Sequence, residues 1–191
     1  MKTKNIMIVG VGGQGTLLAS KLLGKLLLGR GYDVKVSEVH GMAQRGGNVV
    51  TYVRIGNQVH SPLVENGQAN VVLSFEQLEA LRALPYLKIG GTIVTSDQKM
   101  LPMPVIMGVA KYPENALEIL SEKCTLKSLD ALSLAEEAGS LRSANVVLMG
   151  AMARSMDFSK DSWIRAISAC VPPKTLEVNL RAFELGWGKG E

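Results

Sequence analysis

The first 28 residues change from a continuous run of hydrophobic residues to hydrophobic residues at helical spacing. Residues 6–9 form a short apolar run, a group of glycines follows, and residues 16–28 repeat leucines at helical spacing with lysines between them. This order predicts a buried strand that turns tightly into a helix. Residues 32–39 alternate apolar and polar side chains, which predicts a second strand.

The middle of the chain is rich in β-branched residues. Residues 48–55 predict a strand, and residues 58–61 are expected to return beside it as a short partner after the Gly56-Asn57 turn. Residues 100–107 contain two prolines and are expected to form a loop or a sheet edge. Three further strands are predicted at 71–75, 91–95 and 125–129.

The C-terminal part is helical by pattern. Residues 146–153 are apolar on most sides, so their helix should be buried. Strands that alternate with helices predict an α/β fold with a doubly wound, mostly parallel sheet. The expected exceptions are a β-hairpin-like insertion near 47–61 and the helical C-terminal tail. Because no repeat or low-complexity linker divides the sequence, a single domain over residues 1–191 is predicted.

Composition narrows the function classes. The chain is 47% hydrophobic and 20% charged, as expected for a globular protein, and its net charge is +4. The basic residues are scattered without interleaved aromatic residues, so no nucleic-acid partner is expected. No apolar run has the length of a membrane span or a signal peptide, which predicts a cytoplasmic protein without a membrane partner. The two cysteines lie far apart and have no metal or iron–sulfur spacing.

The first candidate site is the glycine loop between the first strand and the first helix. Gly12, Gly13, Gln14 and Gly15 are expected to lie at a substrate, coenzyme or protein interface, because glycines admit a ligand to a helix N-terminus that favours anions. The glycines also fit G-x-G-x-x-G, and Glu38 stands near the place of the acidic residue in a dinucleotide site. A nicotinamide or flavin site therefore stays open at this point.

A second loop follows the second strand. Its candidate residues are His40, Gln44, Arg45, Gly46 and Gly47. Loops after the carboxyl ends of parallel strands share one end of the sheet, so the two loops are expected to meet. Arginine offers a planar fork of donors to a carboxylate or phosphate. No nucleophile or carboxylate is suitably spaced to make the histidine a catalytic base, so no catalytic residue is assigned to this chain.

These motifs together resemble a known family. The sequence GVGGQG at 10–15, HGMAQRGG at 40–47, VRIG at 53–56 and SP at 61–62 resemble the γ-type subunit of 2-oxoacid:ferredoxin oxidoreductases. The later segments KYPENAL, SANVVLMGA and VNLRAFELG look like the same family, so the resemblance covers nearly the whole chain. The form AQRGG is most similar to the indolepyruvate branch.

The resemblance implies a subunit that is inactive alone. Such complexes decarboxylate a 2-oxoacid, here indolepyruvate or another aryl pyruvate, transfer the acyl group to coenzyme A and pass electrons to ferredoxin. Thiamine diphosphate, magnesium and iron–sulfur clusters are expected on a larger catalytic (alpha) subunit, and no cofactor or metal on this chain. Two alternatives remain: a free-standing Rossmann-like nucleotide-binding protein or NAD(P)/flavin oxidoreductase, and a purely structural subunit whose glycines only allow close packing.

Overall fold

A computed structural model of the chain describes residues 3–28, 31–40 and 47–190. Within these ranges the strands form one six-stranded sheet in the order β2-β3-β1-β4-β5-β6. Strands β1, β4, β5 and β6 are mutually parallel, whereas β3 is antiparallel to both of its neighbours. The strands are β1 (Lys4–Val11), β2 (Asp33–His40), β3 (Asn48–Gly56), β4 (Ala69–Ser74), β5 (Leu87–Ser96) and β6 (Thr125–Leu129).

Helices cover both faces of this sheet. On one face, Ile6 and Ile8 of β1 pack into the larger core, and on the other face Met7 and Val9 pack into the smaller one. This alternation follows from the two-residue period of a strand that is buried on both sides. The α-helices of the described residues are α1 (Thr16–Leu28), α2 (Gln77–Ala83), α3 (Met103–Ile106), α4 (Ala116–Lys123), α5 (Ala131–Ala138), α6 (Ala144–Ala153), α7 (Lys160–Cys170) and α8 (Leu176–Lys189).

The predicted α/β fold, with a mostly parallel doubly wound sheet and a helical tail, is confirmed. The tail lies on the face of the larger core, where α6 is buried along its whole length from Asn145 to Ala153. Helices α6 and α8 approach so closely that a Cβ on Gly186 would come within 1.8 Å of the Val147 carbonyl oxygen. The glycines of these two helices therefore allow a backbone-to-backbone contact that the sequence pattern alone does not show.

The predicted insertion has a different form from the one expected. Residues 58–61 are not a strand, so the expected pairing with β3 is wrong; instead β3 pairs with β2 and is inserted beside β1. Side chains hold the segment after β3 in place of a strand ladder. Asp33 accepts a hydrogen bond from the Val59 N–H at 2.8 Å, and Arg54 donates one to the Ser61 carbonyl at 3.1 Å.

The proline-containing segment 100–107 also differs from its prediction as a loop or sheet edge. It contains the short helix α3, which begins after Pro102 and has Pro104 in its first turn. Proline is tolerated at the start of a helix because the first N–H groups have no intrahelical acceptor. The periodicity of the sequence does not indicate α3, because four residues are too few to show a helical period.

Candidate functional site

The glycine loop bends sharply between β1 and α1. The backbone angle φ is +101° at Gly13 and +87° at Gly15, a region that side chains with a Cβ rarely occupy. Glycine is therefore required at these two positions by the turn itself. The first helical residue, Thr16, follows at once, so the loop lies directly at the N-terminus of α1.

The side chain of Gln14 fixes the position of this loop. Its Oε1 accepts a hydrogen bond from the Val11 N–H at 2.7 Å, and its Nε2 donates one to the Phe75 carbonyl at 3.1 Å. The same Nε2 lies 3.4 Å from Gln98 Oε1 and 3.2 Å from Met100 Sδ. Gln14 thus connects the glycine loop with the segments that follow β4 and β5, which is a positioning role.

The second loop starts and ends at the same end of the sheet. His40, which closes β2, pairs with Val49 of β3, and the Gly12 N–H donates a hydrogen bond to the Gly47 carbonyl at 2.9 Å. Gly47 is therefore joined to the glycine loop, in agreement with the expected meeting of the two loops. Gln44, Arg45 and Gly46 lie outside the described residues, as does the side chain of His40.

A cleft of about 570 Å³ opens beside the glycine loop. Four sequence-predicted residues line it: Gly12, Gly13, Gln14 and Gly15. Ten of its other lining residues come from the segment after β4, the segment after β5, the N-terminal ends of two helices and the turn before α6: Phe75, Gln98, Met100, Ala131, Leu132, Leu141, Arg142, Ala144, Asn145 and Leu148. The cleft has a size typical of a small-molecule or coenzyme site.

Three helix N-termini converge on this cleft. Gly15 precedes α1, Ala131 begins α5 and Ala144 begins α6, and all three residues line the cavity. Helix N-termini carry partial positive charge and N–H groups without intrahelical acceptors, so they favour an anion. The exposed Arg142 adds a full positive charge at the mouth. The arrangement can therefore bind a carboxylate or phosphate.

The three helix ends do not contribute equally. At α5 the Asp130 carboxylate accepts a hydrogen bond from the Ser133 N–H at 3.0 Å, so that donor is already used. The hydrogen bonds from Ser133 lower the pKa of Asp130. At α6, Asn145 donates to the Gly15 carbonyl at 3.3 Å and accepts from the Val146 N–H at 2.9 Å. Asn145 therefore ties the starts of α1 and α6 together.

Sequence reasoning missed part of this site. Phe75 could have been found, since it is the last residue of the strand predicted at 71–75 and therefore stands at the carboxyl end of the sheet. Asn145 lies 130 positions from Gly15, its partner, and no local pattern indicates that contact. Arg142 stands in a short 3₁₀ turn before α6 and carries no motif that distinguishes it from other surface arginines.

The geometry also argues against a dinucleotide site. In such folds the acidic residue ends the strand next to β1. Here β3 lies between β1 and β2, so Glu38 is two strand spacings, about 9–10 Å, from β1. Its carboxylate accepts a hydrogen bond from Thr51 Oγ1 at 3.3 Å. Glu38 is therefore displaced from the position in which it could bind a ribose held at the glycine loop.

Metal and thiol chemistry have little support in the described part of the chain. Across residues 3–28, 31–40 and 47–190, no group of three or more His, Cys, Asp or Glu side chains is placed to hold a metal ion. Cys124 and Cys170 are free thiols, and burial raises the pKa of each.

None of the helices in the described residues 3–28, 31–40 and 47–190 is long and apolar enough to cross a membrane.

Known proteins of similar sequence are oxidoreductase subunits. The sequence matches the family described as pyruvate ferredoxin/flavodoxin oxidoreductase over residues 5–188. It is 48% identical to the indolepyruvate oxidoreductase subunit IorB of Thermococcus kodakarensis, an alignment that covers 97% of this chain and 95% of the relative. These similarities confirm the expected family and favour the subunit interpretation over a free-standing dehydrogenase.

Solved structures share the fold. The γ subunit of a keto/oxoacid ferredoxin oxidoreductase from Geobacter sulfurreducens has a TM-score of 0.73 at 24% identity, with 98% of each chain covered. A 2-oxoglutarate:ferredoxin oxidoreductase from Magnetococcus marinus, solved with 2-oxoglutarate, coenzyme A and succinyl-CoA bound, has a TM-score of 0.74 at 19% identity. There the alignment covers all of this chain and 31% of the other. The chain therefore belongs to the pyruvate ferredoxin/flavodoxin oxidoreductase family, as a small oxidoreductase subunit.

Proposed function

We propose that this chain completes the active-site cleft of an indolepyruvate-type 2-oxoacid:ferredoxin oxidoreductase and binds an anionic part of coenzyme A there. The observation that carries the proposal is the convergence of the α1 N-terminus and Arg142 on one cleft of about 570 Å³, beside the start of α6 and the start of α5 that Asp130 already caps. Coenzyme A carries phosphate groups, which suit such a site. In the proposed reaction a 2-oxoacid loses carbon dioxide, coenzyme A receives the acyl group, and two electrons pass to ferredoxin.

The larger catalytic (alpha) subunit supplies the cofactors in this proposal. Thiamine diphosphate and magnesium would provide the carbanion chemistry, and iron–sulfur clusters would carry the electrons. The whole chain has two cysteines, whereas a cluster ordinarily uses four cysteine ligands. The contribution of this chain is then binding and orientation. Its free thiols fit a reducing cytoplasmic setting, and residues 1–191 are proposed to act as one γ-type domain.

Within the cleft, different residues have different proposed roles. Gly12 and Gly13 leave room for the ligand to approach the backbone, whereas Gly15 leaves room for the Asn145 side chain. Gln14 holds the loop in place through its contacts with Val11 and Phe75. Arg142 pairs with a phosphate. Gln44 and Arg45 of the second loop, between His40 and the Gly46-Gly47 pair, are proposed to reach the same ligand or the mouth of the active site; this part stays a prediction from the sequence.

The test uses the complex reconstituted from this chain and its larger subunit. Arg142→Ala should raise the Michaelis constant for coenzyme A by about tenfold, because a hydrogen bond to a charged group contributes about 1.5–3 kcal/mol. The Michaelis constant for the 2-oxoacid should change by less than about twofold. Arg181→Ala, which removes an exposed arginine from α8 outside the cleft, is the matched control. If Arg142→Ala and Arg181→Ala changed the Michaelis constant for coenzyme A equally, the proposed role of the cleft would be wrong.

A further inference from the structure

The segment between β5 and α4 exposes an unusual amount of apolar surface. Residues 99–112, called the arm below, contain five of the twelve large hydrophobic side chains that are exposed in the described part of the chain. Their exposed fractions run from 53% to 74%. Isolated exposed apolar residues are common, whereas a contiguous group marks an interaction surface. The five residues are Leu101, Met103, Ile106, Met107 and Val109.

The base of the arm is anchored in the protein interior. Glu76, which is 1% exposed, accepts a hydrogen bond from the Met100 N–H at 3.2 Å and another from the Tyr112 hydroxyl. These two donors stand at the two ends of the arm. A buried carboxylate needs such donors, so the anchor is costly to break. Above it, the Lys99 ammonium lies 5.7 Å from the centre of the Tyr112 ring.

The arm also has hydrogen bonds of its own. The Pro104 carbonyl accepts from the Val109 N–H at 2.9 Å and from the Ala110 N–H at 3.1 Å, and the Met107 N–H donates to the Met103 carbonyl at 2.9 Å. The arm is therefore a folded element that presents apolar side chains outward. An apolar segment without a partner would gain by folding onto the protein surface, since burial of such a side chain is worth about 1.5–3 kcal/mol.

The arm is continuous with the candidate cleft. Met100, its second residue, lines the cleft, and Met100 Sδ lies 3.2 Å from Nε2 of Gln14 in the glycine loop. A partner that covers the cleft would therefore reach the arm as well. At the base of the arm Lys99 pairs with Glu114, so the exposed Lys111 leaves an excess of positive charge there. An acidic partner surface complements this charge, whereas a second copy of the chain would bring the same excess charge.

We propose that the arm inserts into an apolar groove with an acidic rim on the larger subunit of the complex and provides much of the affinity between the two chains. This inference rests on the pairing with a larger subunit under the proposed function, and it does not depend on coenzyme A binding in the cleft. A few residues that pack into fully desolvated pockets commonly dominate the affinity of a protein interface.

The experiment measures the affinity of this chain for its larger subunit. The double variant Ile106→Lys/Val109→Lys alters two side chains that are 62% and 74% exposed, so the fold should be retained. Ile89→Lys is the matched control, because Ile89 is fully exposed near the opposite, amino end of β5. Circular dichroism and the thermal midpoint verify that each variant is folded. The dissociation constant is measured by calorimetry or native mass spectrometry.

The arm variant should weaken the complex by about a hundredfold and the Ile89 variant by less than about threefold. Wild-type affinity of the arm variant, or equal losses in both variants, would overturn the inference. Sedimentation of the isolated chain gives a further outcome: if the arm variant abolishes self-association and leaves the affinity for the larger subunit intact, the arm pairs two copies, and the inference is wrong. The affinity of the arm variant for the larger subunit tests this inference whatever the effect of Arg142→Ala on the Michaelis constant for coenzyme A.

Discussion

Gly15→Ala tests whether the glycine loop is fixed by its own backbone and by its neighbour. Alanine at φ +87° is strained, at a cost of about 1–3 kcal/mol. The added Cβ would also lie 2.3 Å from Asn145 Nδ2, so the asparagine must move and its 3.3 Å hydrogen bond to the Gly15 carbonyl is lost, a further cost of about 0.5–1.5 kcal/mol. The expected loss of unfolding free energy is about 2–4 kcal/mol.

Two other glycines separate these contributions. Gly13 has φ +101°, and an alanine Cβ at this position would meet no other atom within 4 Å, so Gly13→Ala should show the backbone strain alone, about 1–3 kcal/mol. Gly24 is helical and has open space where a Cβ would lie, so Gly24→Ala should stabilise the chain by about 0.5–1 kcal/mol. From the most to the least stable, the expected order is therefore Gly24→Ala, wild type, Gly13→Ala and Gly15→Ala.

The assay is urea unfolding followed by tryptophan fluorescence. A double-mutant cycle with Asn145→Ala isolates the contact between position 15 and the Asn145 side chain. In the Asn145→Ala background, Gly15→Ala should lower the free energy of unfolding only as much as Gly13→Ala does. Equal destabilisation of the wild-type chain by Gly15→Ala and Gly13→Ala would show that Asn145 does not restrict position 15. The same conclusion would follow if Asn145→Ala left the cost of Gly15→Ala unchanged.

Two further predictions concern the helices around the site. Gly186→Ala would put a Cβ 1.8 Å from the Val147 carbonyl oxygen and should destabilise the chain by about 2–4 kcal/mol in the same urea assay, whereas Gly188→Ala in the same helix, with open space around it, should be neutral or stabilising. Asp130 caps α5, and hydrogen bonds from Ser133 lower the pKa of its carboxylate below the ordinary 3.8. The stabilisation of the folded chain by this carboxylate is therefore fully present above pH 3.8. It is lost as the pH falls through the folded-state pKa. Asp130→Ala should cost about 1 kcal/mol near neutral pH and less in acid, while Asp130→Asn should keep most of the cap without this pH dependence, as measured by unfolding at several pH values.

The elements with strong local signals can be predicted from the sequence. Leucine spacing and the flanking glycines predict helix α1 at its observed bounds, and α5 begins after Asp130 and ends before Gly139, as its capping residues indicate. The sequence likewise predicts strand β6 at its observed bounds. These elements depend on interactions within a few residues, which the sequence displays directly.

The remainder depends on long-range contacts. Residues 58–61 look like a strand, but Asp33 and Arg54 bind that segment through side chains, and β2 takes the pairing position on β3. The cleft combines the predicted glycine loop with residues such as Arg142 and Asn145, which lie more than 120 positions away in the sequence. The topology of the fold places these residues beside the glycine loop, and the spacing of residues within one element cannot indicate this contact.

Under the proposed function, this chain shapes a cleft whose reactive groups belong to a larger subunit. The most direct measurement is the rate of indolepyruvate-dependent and coenzyme A-dependent ferredoxin reduction by the chain alone, by the larger subunit alone and by their equimolar mixture. We expect turnover by the mixture only. Substrate oxidation by this chain alone, or full turnover by the larger subunit without it, would show that the proposed function is wrong.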